Sequence, residues 1–120
     1  MEVAPFGIKT LLVEPGTFRT DLLTQKNSKS VETKFEDYKS LTGFMASQFE
    51  NLNGNQAGDP RKGVECVIDV VKGENGTAGK EWPDQLPLGS DAVAAIRKKC
   101  EDTLQQLKTW EEFSSKSNII

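Results

Sequence analysis

The sequence predicts an α/β segment: part of a doubly wound parallel sheet, mostly helical, with one or two strands. Three observations carry this reading. An apolar run at residues 8–14 ends in Pro15-Gly16. Three later stretches space their apolar residues at three- and four-residue steps. The strands that can be found are too few to complete a sheet, so the sheet is incomplete.

Residues 8–14 read Ile-Lys-Thr-Leu-Leu-Val-Glu, bounded by Gly7 and by Pro15-Gly16. A short run of β-branched and Leu residues between such breakers is expected to be a strand buried on both faces, as in a parallel sheet. Residues 17–30 are polar apart from Phe18, Leu22 and Leu23, which predicts a loop or short helix, with residues 26–30 mobile. From Val31 the pattern becomes helical. Val31, Phe35, Tyr38, Leu41, Met45, Phe49 and Leu52 share one face, and Gly43 marks a weak point. Asp59 then caps a helix whose first residue is Pro60. Val64, Val67, Ile68 and Val71 form its expected buried face, and Lys72-Gly73 close it. After an irregular stretch, Leu86-Pro87-Leu88 predicts a short strand. Pro87 lacks an N–H to donate, so it belongs at an edge or an end. Ser90 is the expected cap of the last helix, with Asp91 in its first turn. Its stripe is Val93, Ile96, Cys100, Leu104 and Leu107, extended by Trp110 and Phe113, and residues 114–120 are expected to fray.

Composition excludes several functions. With 36% hydrophobic and 28% charged residues, the chain is less apolar than an ordinary domain. A net charge of −3 gives no reason to bind a phosphate backbone, and Arg97-Lys98-Lys99 reads as a solvated helix face. The absence of histidine removes the common zinc patterns and His-based proton transfer. No run is long enough to span a membrane, and the first residues lack the features of a signal peptide. Cys66 and Cys100 sit in apolar helical patterns and read as small core residues in a reducing, cytoplasmic setting. Asn75-Gly76-Thr77 reads as a turn.

The informative motif is Val13-Glu14-Pro15-Gly16-Thr17-Phe18-Arg19-Thr20. A parallel strand delivers its C-terminal edge to the crevice where such sheets bind ligands. Pro15 fixes the turn, Gly16 lets a ligand approach the backbone, and the Thr20 hydroxyl can bond a planar amide or a phosphate oxygen. On spacing alone, a plain strand-ending turn is the favoured reading.

With its flanks, Glu2-Val3-Ala4-Pro5-Phe6-Gly7-Ile8-Lys9-Thr10, the motif resembles the C-terminal half of the short-chain dehydrogenases/reductases (SDRs). Asn53-Gly54-Asn55-Gln56-Ala57-Gly58-Asp59-Pro60 is similar to a loop leading into a late helix in one subgroup. Leu86-Pro87-Leu88-Gly89-Ser90-Asp91-Ala92 is similar to that subgroup's last strand and helix start. The resemblance implies an incomplete Rossmann-like fold over residues 1–120. It comprises a strand and Pro-Gly turn at 8–20, a substrate-loop-like region at 17–58, and helices at 60–72 and 91–113. It further implies that Pro15, Gly16, Thr17 and Phe18 line the nicotinamide end of NAD(P), and that Thr20 bonds its carboxamide. Phe18, Leu22, Leu23 and the apolar face from Phe35 to Phe49 would then wall a substrate pocket, although core packing is the favoured reading of that face.

The family's other half is not in the sequence. Gly73, Gly76 and Gly79 have the wrong spacing for the dinucleotide-binding turn, and no apolar strand precedes them. The family's acid/base tyrosine stands four residues before a lysine. Here the single tyrosine, Tyr38, is followed at that distance by Thr42. By the resemblance, the Tyr-Lys helix ends near Val3-Ala4-Pro5, so Met1 is expected to begin just past the catalytic residues. No catalytic residue is therefore assigned. Three readings follow: an NAD(P)-dependent oxidoreductase segment inactive alone, a non-catalytic protein binding a full-length relative or itself, or a product without its own function.

Overall fold

The computed structural model describes residues 3–29 and 32–119. They divide into two compact units, one from residues 1–16 with 84–120 and one from residues 17–83.

The first unit holds a 3₁₀ turn at Ala4–Phe6, strands β1 (Leu12–Pro15) and β2 (Gln85–Leu88), and helix α3 (Ser90–Ser115). The strands pair in parallel, with Leu12 opposite Gln85 and Pro15 opposite Leu88. Pro87 lies opposite Glu14 on a strand with one neighbour, an edge position as expected. Strand β1 begins at Leu12, four residues later than the apolar run predicts. A ladder extends only as far as its partner, and β2 starts at Gln85, just past Pro83, which has no N–H to offer. Nor is β1 buried on both faces: Leu12 is 54% exposed and Ile8 lies outside the strand, also exposed. The sheet has two strands among the described residues, too few to cover both faces.

Ser90, the expected cap of α3, is its first helical residue. Gly89 takes the cap position at φ 99°, a left-handed value that disfavours any side chain. The helix continues to Ser115, so Ser114 and Ser115 are helical rather than frayed; Ile120 lies outside the described residues.

The second unit holds a 3₁₀ turn at Asp21–Leu23, helices α1 (Glu36–Leu52) and α2 (Pro60–Lys72), and a 3₁₀ turn at Asn75–Thr77. Helix α1 starts at Glu36, later than the periodicity suggests, and Gly43 does not break it. Ser30 and Val31, where mobility and the helix start were expected, lie outside the described residues. Helix α2 matches its local signals at both ends. The Asp59 carboxylate accepts from the Arg61 N–H at 2.9 Å, Pro60 opens the helix, and Gly73 closes it at φ 68°.

The apolar faces are patterned as expected but uncovered. Val64, Ile68 and Val71 of α2 are exposed, as are Tyr38, Leu41, Met45 and Phe49 of α1 and Val93, Leu104 and Leu107 of α3. Cys66 and Cys100 are free, exposed thiols rather than core residues. Among the described residues, those buried are Ala92 in the first unit and Gln56 and Gly63 in the second. No helix among the described residues is long and apolar enough to cross a membrane.

Candidate functional site

In the first unit, β1 ends at Pro15, and the Gly16 N–H donates to the Leu88 carbonyl at 2.8 Å, extending the ladder by one bond. The Asp91 carboxylate, from the first turn of α3, lies against Gly16. A Cβ on Gly16 would overlap it, and a Cβ on Gly89 would come within 2.7 Å of Asp91 Oδ1. A side chain at either position would displace this carboxylate, and the φ of 99° independently favours glycine at 89. An open cleft of about 430 Å³ lies here, lined by Glu14, Pro15, Gly16, Asp91, Ala92 and Ile96. One Glu14 carboxylate oxygen is buried, with no hydrogen-bond partner among the described residues.

In the second unit, residues 17–19 are clasped by residues 56–63. The Gly58 N–H donates to the Thr17 carbonyl at 3.0 Å, and the Arg19 N–H donates to the Gly58 carbonyl at 2.8 Å. Phe18 and Gly58 thereby form a one-residue parallel bridge. The Arg19 guanidinium adds two bonds to the Gln56 carbonyl, from Nε at 3.2 Å and Nη2 at 3.0 Å. Such a fork fixes direction as well as distance. The Phe18 ring closes the clasp. A Cβ on Gly58 would lie 2.8 Å from its Cγ, and one on Gly63 would lie 2.7 Å from its Cε1. Gln56 is only 3% exposed, and its Oε1 has no partner among the described residues.

The clasp consumes polar groups on one side of residues 17–20 and leaves others open. The Thr20 hydroxyl oxygen accepts from the Leu22 N–H at 3.4 Å, which starts the Asp21–Leu23 turn and leaves the hydroxyl proton available. The Phe18 and Thr20 N–H groups have no partner among the described residues. Two amides and a hydroxyl within three residues form a donor set suited to a carbonyl or carboxamide oxygen. The described residues offer no glycine-rich strand-to-helix turn for the pyrophosphate; Gly73 caps α2, and Gly76 sits in a 3₁₀ turn.

Of the five residues assigned from sequence, the structure places Pro15 and Gly16 in one unit and Thr17, Phe18 and Thr20 in the other. Phe18 has a packing role that the sequence reading did not assign. Arg19, Gln56, Gly58, Gly63 and Asp91 were not singled out as site residues. The one local trace of them is the pair of glycines flanking Asp59-Pro60, where a helix start needs no small residue for capping. Around Tyr38, the Thr42 hydroxyl donates to the Tyr38 backbone carbonyl at 3.0 Å, and Lys39 pairs with Glu36 at 2.6 Å. The α1 face does not pack into a core. It borders an open groove of about 670 Å³ that includes Leu41, Met45 and Phe49. No group of three His, Cys, Asp or Glu among the described residues could hold a metal ion.

No family model matches the chain. Oxidoreductase BOA17 of Botryotinia fuckeliana (strain B05.10) is 35% identical over 113 residues, covering 94% of this chain and 38% of that protein. The uncharacterized oxidoreductase YusZ of Bacillus subtilis (strain 168) is 27% identical over 77 residues, covering 59% of this chain and 26% of that protein. Among solved structures, a short-chain dehydrogenase from Streptomyces avermitilis superposes with a TM-score of 0.72 at 31% identity. That match covers 98% of this chain and 40% of the dehydrogenase. The chain spans about two fifths of the length of BOA17 and of the dehydrogenase. The parallel β1–β2 pair, the helix that follows β2, and these matches together make the chain similar to part of a short-chain dehydrogenase, a Rossmann-like fragment consistent with the C-terminal part of that domain.

Proposed function

We propose that residues 15–20 hold the nicotinamide end of NAD(P) in an oxidoreductase that interconverts an alcohol and a carbonyl. When bound, the cofactor gives or takes the hydride. The work of this chain is orientation. The clasp keeps residues 17–19 extended, and the Phe18 and Thr20 amides and the Thr20 hydroxyl hold the carboxamide so that one ring face is presented. Pro15 and Gly16 supply a backbone without bulky side chains at the end of β1. The observation that carries the reading is the unpartnered donor set beside a clasped backbone. The proton-transfer residues and the glycine-rich turn are not among the 120 residues, so the chain alone is proposed to be inactive. A cytoplasmic setting accords with the two free thiols.

Calorimetric titration tests this. Nicotinamide mononucleotide and NADH are expected to bind the chain with similar, roughly millimolar affinity, and Thr20→Val to weaken both by about fivefold. Micromolar NADH binding that ADP competes away would contradict the reading, as would consumption of NAD(P)H with a carbonyl substrate.

A second reading, that the chain docks on a full-length relative without catalysis, is favoured by the outer edge of β1. That edge has no strand beside it among the described residues.

A further inference from the structure

We infer that the C-terminal half of α3 is a self-association surface, on which a second copy of this chain docks antiparallel. This surface lies in the first unit alone and is independent of the nicotinamide reading.

The first argument is reach. Helix α3 has 26 residues and is therefore about 39 Å long. Strands of ordinary length extend about 20 Å, so a sheet built on β1 and β2 can cover the helix only to about Thr103. Yet the apolar stripe continues beyond that point. Leu104, Leu107 and Trp110 are 66%, 59% and 59% exposed.

The second argument is periodicity. Cys100 and Leu107 are seven residues apart, as are Thr103 and Trp110. This is the spacing of a coiled-coil seam. Leu104 flanks the seam, with Arg97 seven residues before it and Glu111 seven residues after it, all three on one edge.

The third argument is complementarity. Two copies running antiparallel about Leu104 place Arg97 of each opposite Glu111 of the other. The seam layers beside that charged edge, centred one residue later at Gln105, set Trp110 against the small Cys100 and Leu107 against Thr103. A parallel pair would instead set Arg97 beside Ala92 and Glu111 beside Gln106 of the other flank, which leaves both charges without an opposite partner. Neither Arg97 nor Glu111 has an ion-pair partner among the described residues, whereas Lys98 on the far face is already bridged to Asp102 at 2.8 Å. The seam edge therefore has its charges open for a partner.

Sedimentation velocity of the 120-residue chain at about 100 µM should show a species of twice 13.2 kDa. Arg97→Glu alone and Glu111→Arg alone should each weaken the dimer by about tenfold, and the double variant should recover it to within about threefold. Circular dichroism checks that each variant keeps its helix. A second measurement does not depend on the charge variants: in a Cys66→Ser, Cys100→Ser background, Leu104→Cys should be captured as a dimer by a short bis-maleimide, and Lys98→Cys should not. A chain that stays monomeric at that concentration overturns the inference. So does a dimer unaffected by either single charge reversal, open-ended assembly, or equal capture at positions 98 and 104.

Discussion

Phe18 and Phe49 lie in the same compact unit, yet they have opposite environments. Phe18 belongs to a polar segment, and its ring rests against Gly58 and Gly63 in a contact too close for any Cβ. Phe49 belongs to a well-patterned amphipathic helix, and it is 49% exposed beside an open groove. Apolar periodicity marks a face that needs cover; it does not provide the cover. Packing in this chain is concentrated where two backbones approach through glycine, at the clasp in one unit and at Gly16 against Asp91 in the other. In sequence, Gly16 and the clasped residues 17–19 lie next to or within the segment proposed to face the cofactor.

This contrast can be broken or sharpened by substitutions in the second unit, read by hydrogen exchange at the Arg19 and Gly58 amides, which donate within the clasp. The largest effect is expected for Gly63→Leu. It drives a side chain into the Phe18 ring and should lower the opening free energy by about 3 kcal/mol. Gly58→Ala meets the Thr17 carbonyl as well as the ring and should cost about 2 kcal/mol. Arg19→Lys replaces a two-pronged donor with a single flexible ammonium, and about 1 kcal/mol of protection should go. At the end of α2, Gly73→Ala puts a side chain at φ 68° and should lower helix stability by about 1 kcal/mol, seen as faster exchange of the last-turn amides. The smallest effect is expected on the uncovered face. Val64→Ser should shift clasp exchange by less than about 0.5 kcal/mol, because Val64 is already 59% exposed. A loss near 2 kcal/mol there would mean that the α2 face is covered in solution.

The features legible in the sequence are those set by neighbouring residues. Asp59-Pro60 and Gly73 bound α2 because capping is a local hydrogen-bonding event. Pro87 announces an edge strand because a missing N–H acts at its own position. What the sequence hides is set at a distance. The start of β1 depends on where β2 begins, more than seventy residues later. The Arg19 fork reaches across 37 positions to a backbone carbonyl that carries no residue-type signal. The burial of α1 and α3 was inferred from periodicity, which cannot say whether a covering layer is present. Likewise, Pro15-Gly16 was legible as a turn, while the reason for Gly16, the Asp91 carboxylate, was not.

The account's central claim is that the segment after the Pro-Gly turn carries the nicotinamide half of a cofactor clamp and that the dinucleotide-holding half is not in this chain. Amide chemical-shift mapping of the labelled chain with nicotinamide mononucleotide, and separately with ADP, tests both parts at once. The account predicts saturable shifts at Gly16, Phe18 and Thr20 with the mononucleotide and none above background with ADP. Saturable shifts with ADP, or mononucleotide shifts that leave Phe18 and Thr20 untouched, would contradict it.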